Sequence, residues 1–239
     1  MKRICRHRHY GSRVRPFHRM AAVFIFALLW GVPYPAAGWT RSDSDALIRE
    51  LKAAYEQVQD YQARLTSTGF GDDACSGARK ALYRFRKPNS IRVDFESPDS
   101  DIVIIYPDKG GKARLRPGKI CPFFVPLDPN SSLMEVSPGQ HIRQTDLGML
   151  IRHISQSLTE LCLGEPDVQT YANRTVVSVL SDNPFRKGVA ARYIFTIDNR
   201  LHLPVQVEEF SPEGAPRRRV VFEDLKVNTG IPESVFTVE

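Results

Sequence analysis

The chain has 239 residues, 33 basic against 27 acidic side chains, and a formal net charge of +6. That length suits one or two domains. The excess charge is no mark of nucleic-acid binding, because it sits entirely in the first 38 residues: these hold seven basic and no acidic residues, which leaves 26 basic against 27 acidic, a net of −1.

The N-terminus carries Lys2, Arg3, Arg6, Arg8, Arg13, Arg15 and Arg19, then the apolar run Ala21–Val32, then Pro33, Pro35 and the small residues Ala36, Ala37 and Gly38. Basic region, short apolar core and small-residue exit predict a Sec-type signal peptide over 1–38, cut after Ala37 or Gly38. Twelve apolar residues fall short of the roughly 20 that span a bilayer, so the mature chain is expected to have no stable membrane span. No arginine pair marks a twin-arginine signal, and no cysteine just after the core marks a lipid-modified terminus. The expected compartment is the periplasm of a Gram-negative envelope.

Residues 42–58 predict a helix, with Ser42, Asp43 and Ser44 as caps and Leu47, Ile48, Leu51, Tyr55 and Val58 as one apolar stripe. Strands are expected at 59–69, 79–87, 91–96, 102–106 and 112–116. Ile91, Val93 and Phe95 alternate with Arg92, Asp94 and Glu96, the period of a half-buried strand. Ile102–Tyr106 is apolar on both faces and should be covered on both. Turns at Lys87–Ser90, Ser97–Ser100 and Pro107–Gly111 make neighbours antiparallel. Residues 117–144 are an irregular Pro-rich insert carrying the patch Phe123, Phe124 and Val125. A second helix is expected over 145–163, with Leu147, Leu150, Ile151, Ile154, Leu158 and Leu161 as its stripe. Further strands follow at 168–180, 189–198, 203–210 and 217–227, then a short tail.

This order predicts a mainly β, α+β domain over 39–239: a single strongly curved antiparallel sheet, a half-open β-barrel with a helical and loop lid. Tyr83, Phe85, Ile91, Val93 and Phe95, with Ile102 and Ile104, fall on the expected concave face. They read either as a filled core or as the wall of an apolar cavity. An acyl chain there would gain about 0.8 kcal/mol per buried methylene, so apolar walls suffice for binding. The patch Phe123, Phe124 and Val125 reads as a lid, as a partner-contact surface or as packing onto the second helix, and Leu150 and Ile154 of that helix are the expected lid residues beside it. Arg217, Arg218 and Arg219 read as a solvated or edge-protecting run, or as a contact for anionic headgroups or an acidic partner.

No cofactor, metal or catalytic residue is suggested. His141, His153 and His202 share no metal-ligand spacing and adjoin no nucleophile elbow. Cys75, Cys121 and Cys162 follow the signal and contain no CxxC pair. An up-and-down meander puts Cys75 and Cys121 at the same end of the sheet, which favours a Cys75–Cys121 disulfide, or either with Cys162 if the second helix folds back.

Residues 83–98, Tyr-Arg-Phe-Arg-Lys-Pro-Asn-Ser-Ile-Arg-Val-Asp-Phe-Glu-Ser-Pro, resemble the core of the outer-membrane lipoprotein-sorting, LolA-like family. Leu203-Pro204-Val205, the turn at Glu213-Gly214, and Val221–Asn228 with Ile231–Phe236 resemble its closing strands and tail. The resemblance implies an unclosed barrel lidded by helices, with a lipid or lipoprotein acyl chain as partner and no catalysis. An envelope protein-interaction module or stress sensor on the same fold is the alternative. Carriers place an arginine before the Pro-Asn turn to latch the lid. Lys87 stands there in this chain, a point charge without the guanidinium fork.

Overall fold

A computed structural model describes residues 39–238, apart from 71–77, 98–99, 109, 119–120, 132–133 and 138–139. The expected signal peptide over 1–38, and Cys75 of the expected disulfide, lie outside the described residues. Among the described residues, no helix is long and apolar enough to cross a membrane.

Helix α1 spans Arg41–Glu56. Its cap is Thr40, one turn-start earlier than the Ser-Asp-Ser run: Thr40 Oγ1 accepts from the Asp43 amide at 3.2 Å, and Asp43 Oδ2 accepts from the Thr40 amide at 2.8 Å. That reciprocal bonding holds the Asp43 carboxyl below its usual pKa. Ile48, Leu51 and Val58 bury the predicted stripe, and Leu47 and Tyr55 pack against the same core.

A meander of five strands follows: β1 (Asp60–Gly69), β2 (Ala78–Arg86), β3 (Ser90–Ser97), β4 (Ile102–Tyr106) and β5 (Ala113–Pro117). Alternation sets their register, with one shift between β2 and β3 at Lys80/Ala81. Tyr83 faces Val93 and Phe85 faces Ile91, and Val93 in turn faces Ile104. The insert is less irregular than its prolines suggest. It contains β6 (Val125–Leu127), the small ladder β7 (Glu135–Ser137) with β8 (Gln140–His141), and a 3-10 turn at Ile142–Gln144. Met134 and Ile142 anchor it in the core.

Helix α2 spans Leu147–Leu158 and stops five residues short of expectation. The chain there is drawn onto the sheet: the Leu163 amide donates to the Leu180 carbonyl and the Asp182 amide to the Leu161 carbonyl, both at 2.9 Å. The expected strand 168–180 is two strands, β9 (Asp167–Thr170) and β10 (Arg174–Asn183), hinged at Tyr171–Asn173. Strands β11 (Arg186–Asp198), β12 (Leu203–Phe210) and β13 (Pro216–Val227) complete the set.

Eleven strands form one antiparallel sheet in the order β6-β5-β4-β3-β2-β1-β13-β12-β11-β10-β9, open at both edges and not closed into a barrel. The two halves of the chain meet where β1 pairs with β13. β13 is therefore a central strand, which corrects the edge-protecting reading of Arg217–Arg219. One core lies on the inner face, where α2 packs on β10 and β12, and α1 on β12 and α2. Val103 and Ile105 point the other way and are also buried. The C-terminal 3-10 turn Glu233–Phe236 packs on β3 on that outer face, and Arg92 Nη1 donates to the Val235 carbonyl at 3.0 Å. Ile102–Tyr106 is thus covered on both sides, as its two-faced apolarity requires.

Candidate functional site: the covered inner face and its latch

Five of the seven predicted wall residues, Tyr83, Phe85, Ile91, Val93 and Ile104, are buried on the inner face, and Phe95 and Ile102 are half-buried. Tyr61 stacks with Tyr83 and Phe85 at centroid distances of 5.9 and 5.0 Å. Above them, α2 inserts Leu147, Ile151, Ile154 and Leu158. Of the predicted lid residues, Ile154 is fully buried and Leu150 is half-buried at the edge of the core. In this conformation side chains fill the face. Of two surface hollows, one of about 360 Å³ mixes Leu82, Phe95 and Val235 with Arg84, Asp94 and Glu96, and one of about 390 Å³ is lined mainly by polar groups, among them Asp60, Arg86 and Lys87.

Phe123 and Phe124 are not over this face. They precede the edge strand β6: Phe123 is 76% exposed, and the Phe124 ring meets the Arg116 guanidinium at 5.7 Å. The physical reason is that β5 pairs with β6 directly, which carries the patch outward along the sheet edge.

Lys87 reaches the C-terminal end of α1. Its Nζ donates to the main-chain carbonyls of Tyr55 at 2.8 Å and Glu56 at 3.0 Å, and lies 4.8 Å from the Tyr55 ring centroid. Both carbonyls belong to the last turn of α1, the Tyr55 one also accepting from the Val58 amide at 3.1 Å, and a positive charge there is favoured by the helix dipole. A single ammonium serves because the targets are two adjacent carbonyls, and a planar fork is not needed.

The sequence reading missed a polar cluster that fixes α2 by its N-terminus. Asp146 caps the helix, Oδ1 accepting from the Gly148 and Met149 amides at 2.7 and 3.2 Å. The same oxygen accepts from the Tyr55 hydroxyl of α1 at 3.0 Å. Tyr61 Oη accepts from the Leu147 amide at 2.9 Å. Thr145 gives its proton to the Ile142 carbonyl at 2.6 Å, so Tyr83 donates to Thr145 Oγ1 at 3.2 Å. Burial, with the nearby Asp146 charge, raises the pKa values of Tyr55, Tyr61 and Tyr83, which stay protonated. The one local signal was Asp146 directly before an apolar-periodic run.

At its other end α2 is tied by the Ser181 hydroxyl, which donates to Ser157 Oγ at 3.0 Å. Between these two tethers its contact with the sheet is apolar but for His153, which sits edge-on to Phe185, Tyr193 and Phe195. Cys121 and Cys162 are half-buried and in no disulfide among the described residues. No group of three or more His, Cys, Asp or Glu residues able to hold a metal occurs among the described residues.

No protein-family model and no curated protein matches this sequence. Solved structures do resemble the fold. A conserved protein of Thermus thermophilus matches at TM-score 0.47 and 9% identity, over 81% of this chain and 91% of that one. The lipoprotein LppX of Mycobacterium tuberculosis matches at 0.45 and 12%, over 79% and 99%. A LolA-superfamily protein of Nitrosomonas europaea matches at 0.39 and 9%, over 82% and 97%.

Proposed function

We propose that this chain is a non-catalytic periplasmic binding or carrier protein for lipoprotein acyl chains or another lipid, held on the inner face of the sheet once α2 lifts. The supporting observation is the way α2 is attached: hydrogen bonds at its two ends and a mainly apolar contact between them. Displacing Leu147, Ile151, Ile154 and Leu158 forfeits about 1.5–3 kcal/mol each. A sixteen-carbon chain entering beneath the helix regains about 10 kcal/mol gross by the same scale. The exchange is close to balanced, as reversible loading and release require.

The test is a lock. In a background without the native cysteines, Ser157→Cys and Ser181→Cys join α2 to β10 on oxidation. Native mass spectrometry then follows uptake of added palmitate. Uptake by the reduced protein, its loss on oxidation and its return with reductant are expected. Uptake that persists in the oxidised protein, or no uptake in either form, rejects the reading.

The second reading is an envelope protein-interaction module. The observation that favours it is Phe123, with Val125 also exposed, at the edge of the sheet. A protein partner captured in a lipid-independent way, and lost on Phe123→Asp, would put this reading first.

A further inference from the structure

Arg218 and Arg219 face opposite sides of their central strand, and Arg217 is the extra residue at the register shift against Glu209 and Phe210 of β12, within ion-pair distance of Glu209. Arg219 pairs on one side with Glu208 at 3.5 Å and Gln206 at 3.1 Å. Arg218 follows Val220 and Phe222 to the inner face, where Nη1 donates to Gln140 Oε1 of the insert at 3.1 Å. Burial lowers the pKa of its guanidinium, with the Glu209 charge opposing.

Glu209 stands opposite Arg218 on β12, and Tyr193 stands opposite Glu209 on β11. Here the inner face ends in polar groups, beyond the apolar stretch of Phe195, Val207 and Val220. Three buried polar atoms in this region make no hydrogen bond: Tyr193 Oη, Arg217 Nη1 and His153 Nε2. The His153 and Tyr193 rings are 4.4 Å apart. Arg217 Nη1 lies 3.8 Å from Glu209 Oε1, near enough for an ion pair and too far for a hydrogen bond. The charges of Glu209, Arg217 and Arg186 all act on the Tyr193 hydroxyl, and Glu213 on the neighbouring turn also feels Arg217. Two buried donor atoms, the Tyr193 hydroxyl and Arg217 Nη1, thus make no hydrogen bond in a region that mixes arginines with carboxylates. Buried donors without acceptors are costly and rare in folded proteins. A guanidinium beside a phenol suits a planar or tetrahedral oxyanion, which accepts several charge-assisted hydrogen bonds at once.

We propose that Arg217, Arg218 and Tyr193 form an oxyanion site at the polar end of the inner face, taking the carboxylate or phosphate headgroup of an anionic amphiphile whose chain runs along the apolar stretch. The headgroup assignment rests on the lipid-binding reading. The anion site itself stands on the unfilled donors.

Calorimetric titration of the full chain with dodecanoate, methyl dodecanoate and inorganic phosphate tests it. The expected result is dodecanoate binding at least tenfold tighter than its uncharged ester. Arg217→Gln and Tyr193→Phe should each erase most of that preference. Glu209→Gln, which removes the competing carboxylate, should strengthen it, and this variant keeps the test decisive if Arg217→Gln fails to fold. Equal binding of acid and ester overturns the oxyanion site while the lipid reading stands. Phosphate binding that is sensitive to Arg217→Gln, with neither amphiphile bound, supports the site, identifies a free anion as its source and rejects the lipid reading. Binding of none of the three overturns both.

Discussion

Lys87 and His153 show two opposite ways in which one ionisable side chain acts on the helices. Lys87 remains partly solvated and spends its charge on two helix-end carbonyls. A hydrogen bond to a charged group contributes about 1.5–3 kcal/mol. Lys87→Met is therefore expected to destabilise the fold by about 2 kcal/mol in urea unfolding, and Lys87→Arg by much less. His153 is 6% exposed inside an aromatic box, and burial pushes its pKa from 6.5 down to about 3. The unfolded chain thus binds a proton that the folded chain refuses between those values. Stability is complete above pH 6.5 and falls as the pH drops from 6.5 toward 3, by about 1.4 kcal/mol per unit. Urea unfolding of the native protein should lose about 2 kcal/mol more than a His153→Phe variant between pH 7 and pH 5. An equal loss in both would show that the imidazole is not the titrating group.

The close approach of the two helices depends on a missing side chain. A Cβ on Gly148 would lie 2.6 Å from Tyr55 Cε1 and 2.8 Å from Asp146 Oδ1, the two groups that join α1 to α2. Alanine is normally the better helix residue by about 1 kcal/mol. Overpacking a tight contact costs about 1–3 kcal/mol, and here the ring and the capping carboxylate would both have to shift. Gly148→Ala is accordingly expected to destabilise, and also to speed lipid uptake by loosening the latch. A melting temperature raised by this substitution would mean that Tyr55 swings away at no cost. Much of both helices was legible beforehand, because 3.6-residue periodicity and caps act within one or two turns. The premature end of α2 was not, because Leu161 and Leu163 extend the apolar pattern and are claimed instead by the backbone of β10.

The whole molecule leaves two sheet edges, β6 and β9, with exposed apolar groups beside them: Phe123 and Val125 at one, Leu163 and Tyr171 near the other. Because Phe123 supports little of the core, Phe123→Asp should change folding stability by less than about 0.5 kcal/mol. It should reduce self-association in analytical ultracentrifugation at high protein concentration, since a charge at an edge opposes strand pairing. Unchanged sedimentation would assign no sticky role to that edge.

Period-two alternation, turn residues and helical stripes determined from sequence alone that Tyr83, Phe85, Ile91 and Val93 share a buried face, that neighbouring strands run antiparallel, and that two amphipathic helices need a surface to cover. Each of these signals acts over a few residues. The strands of the insert were invisible because two or three residues carry no period, and the hinge at Tyr171–Asn173 because only Asn173 marks it. What lay beyond reach were pairings across long stretches of chain. β13 beside β1 makes Arg217–Arg219 central, and the Leu147 amide meets Tyr61 across 86 residues. Whether the inner face holds a cavity or a core was decided by where α2 settles. That choice depends on packing volume and on hydrogen bonds between distant elements, quantities that no local pattern encodes.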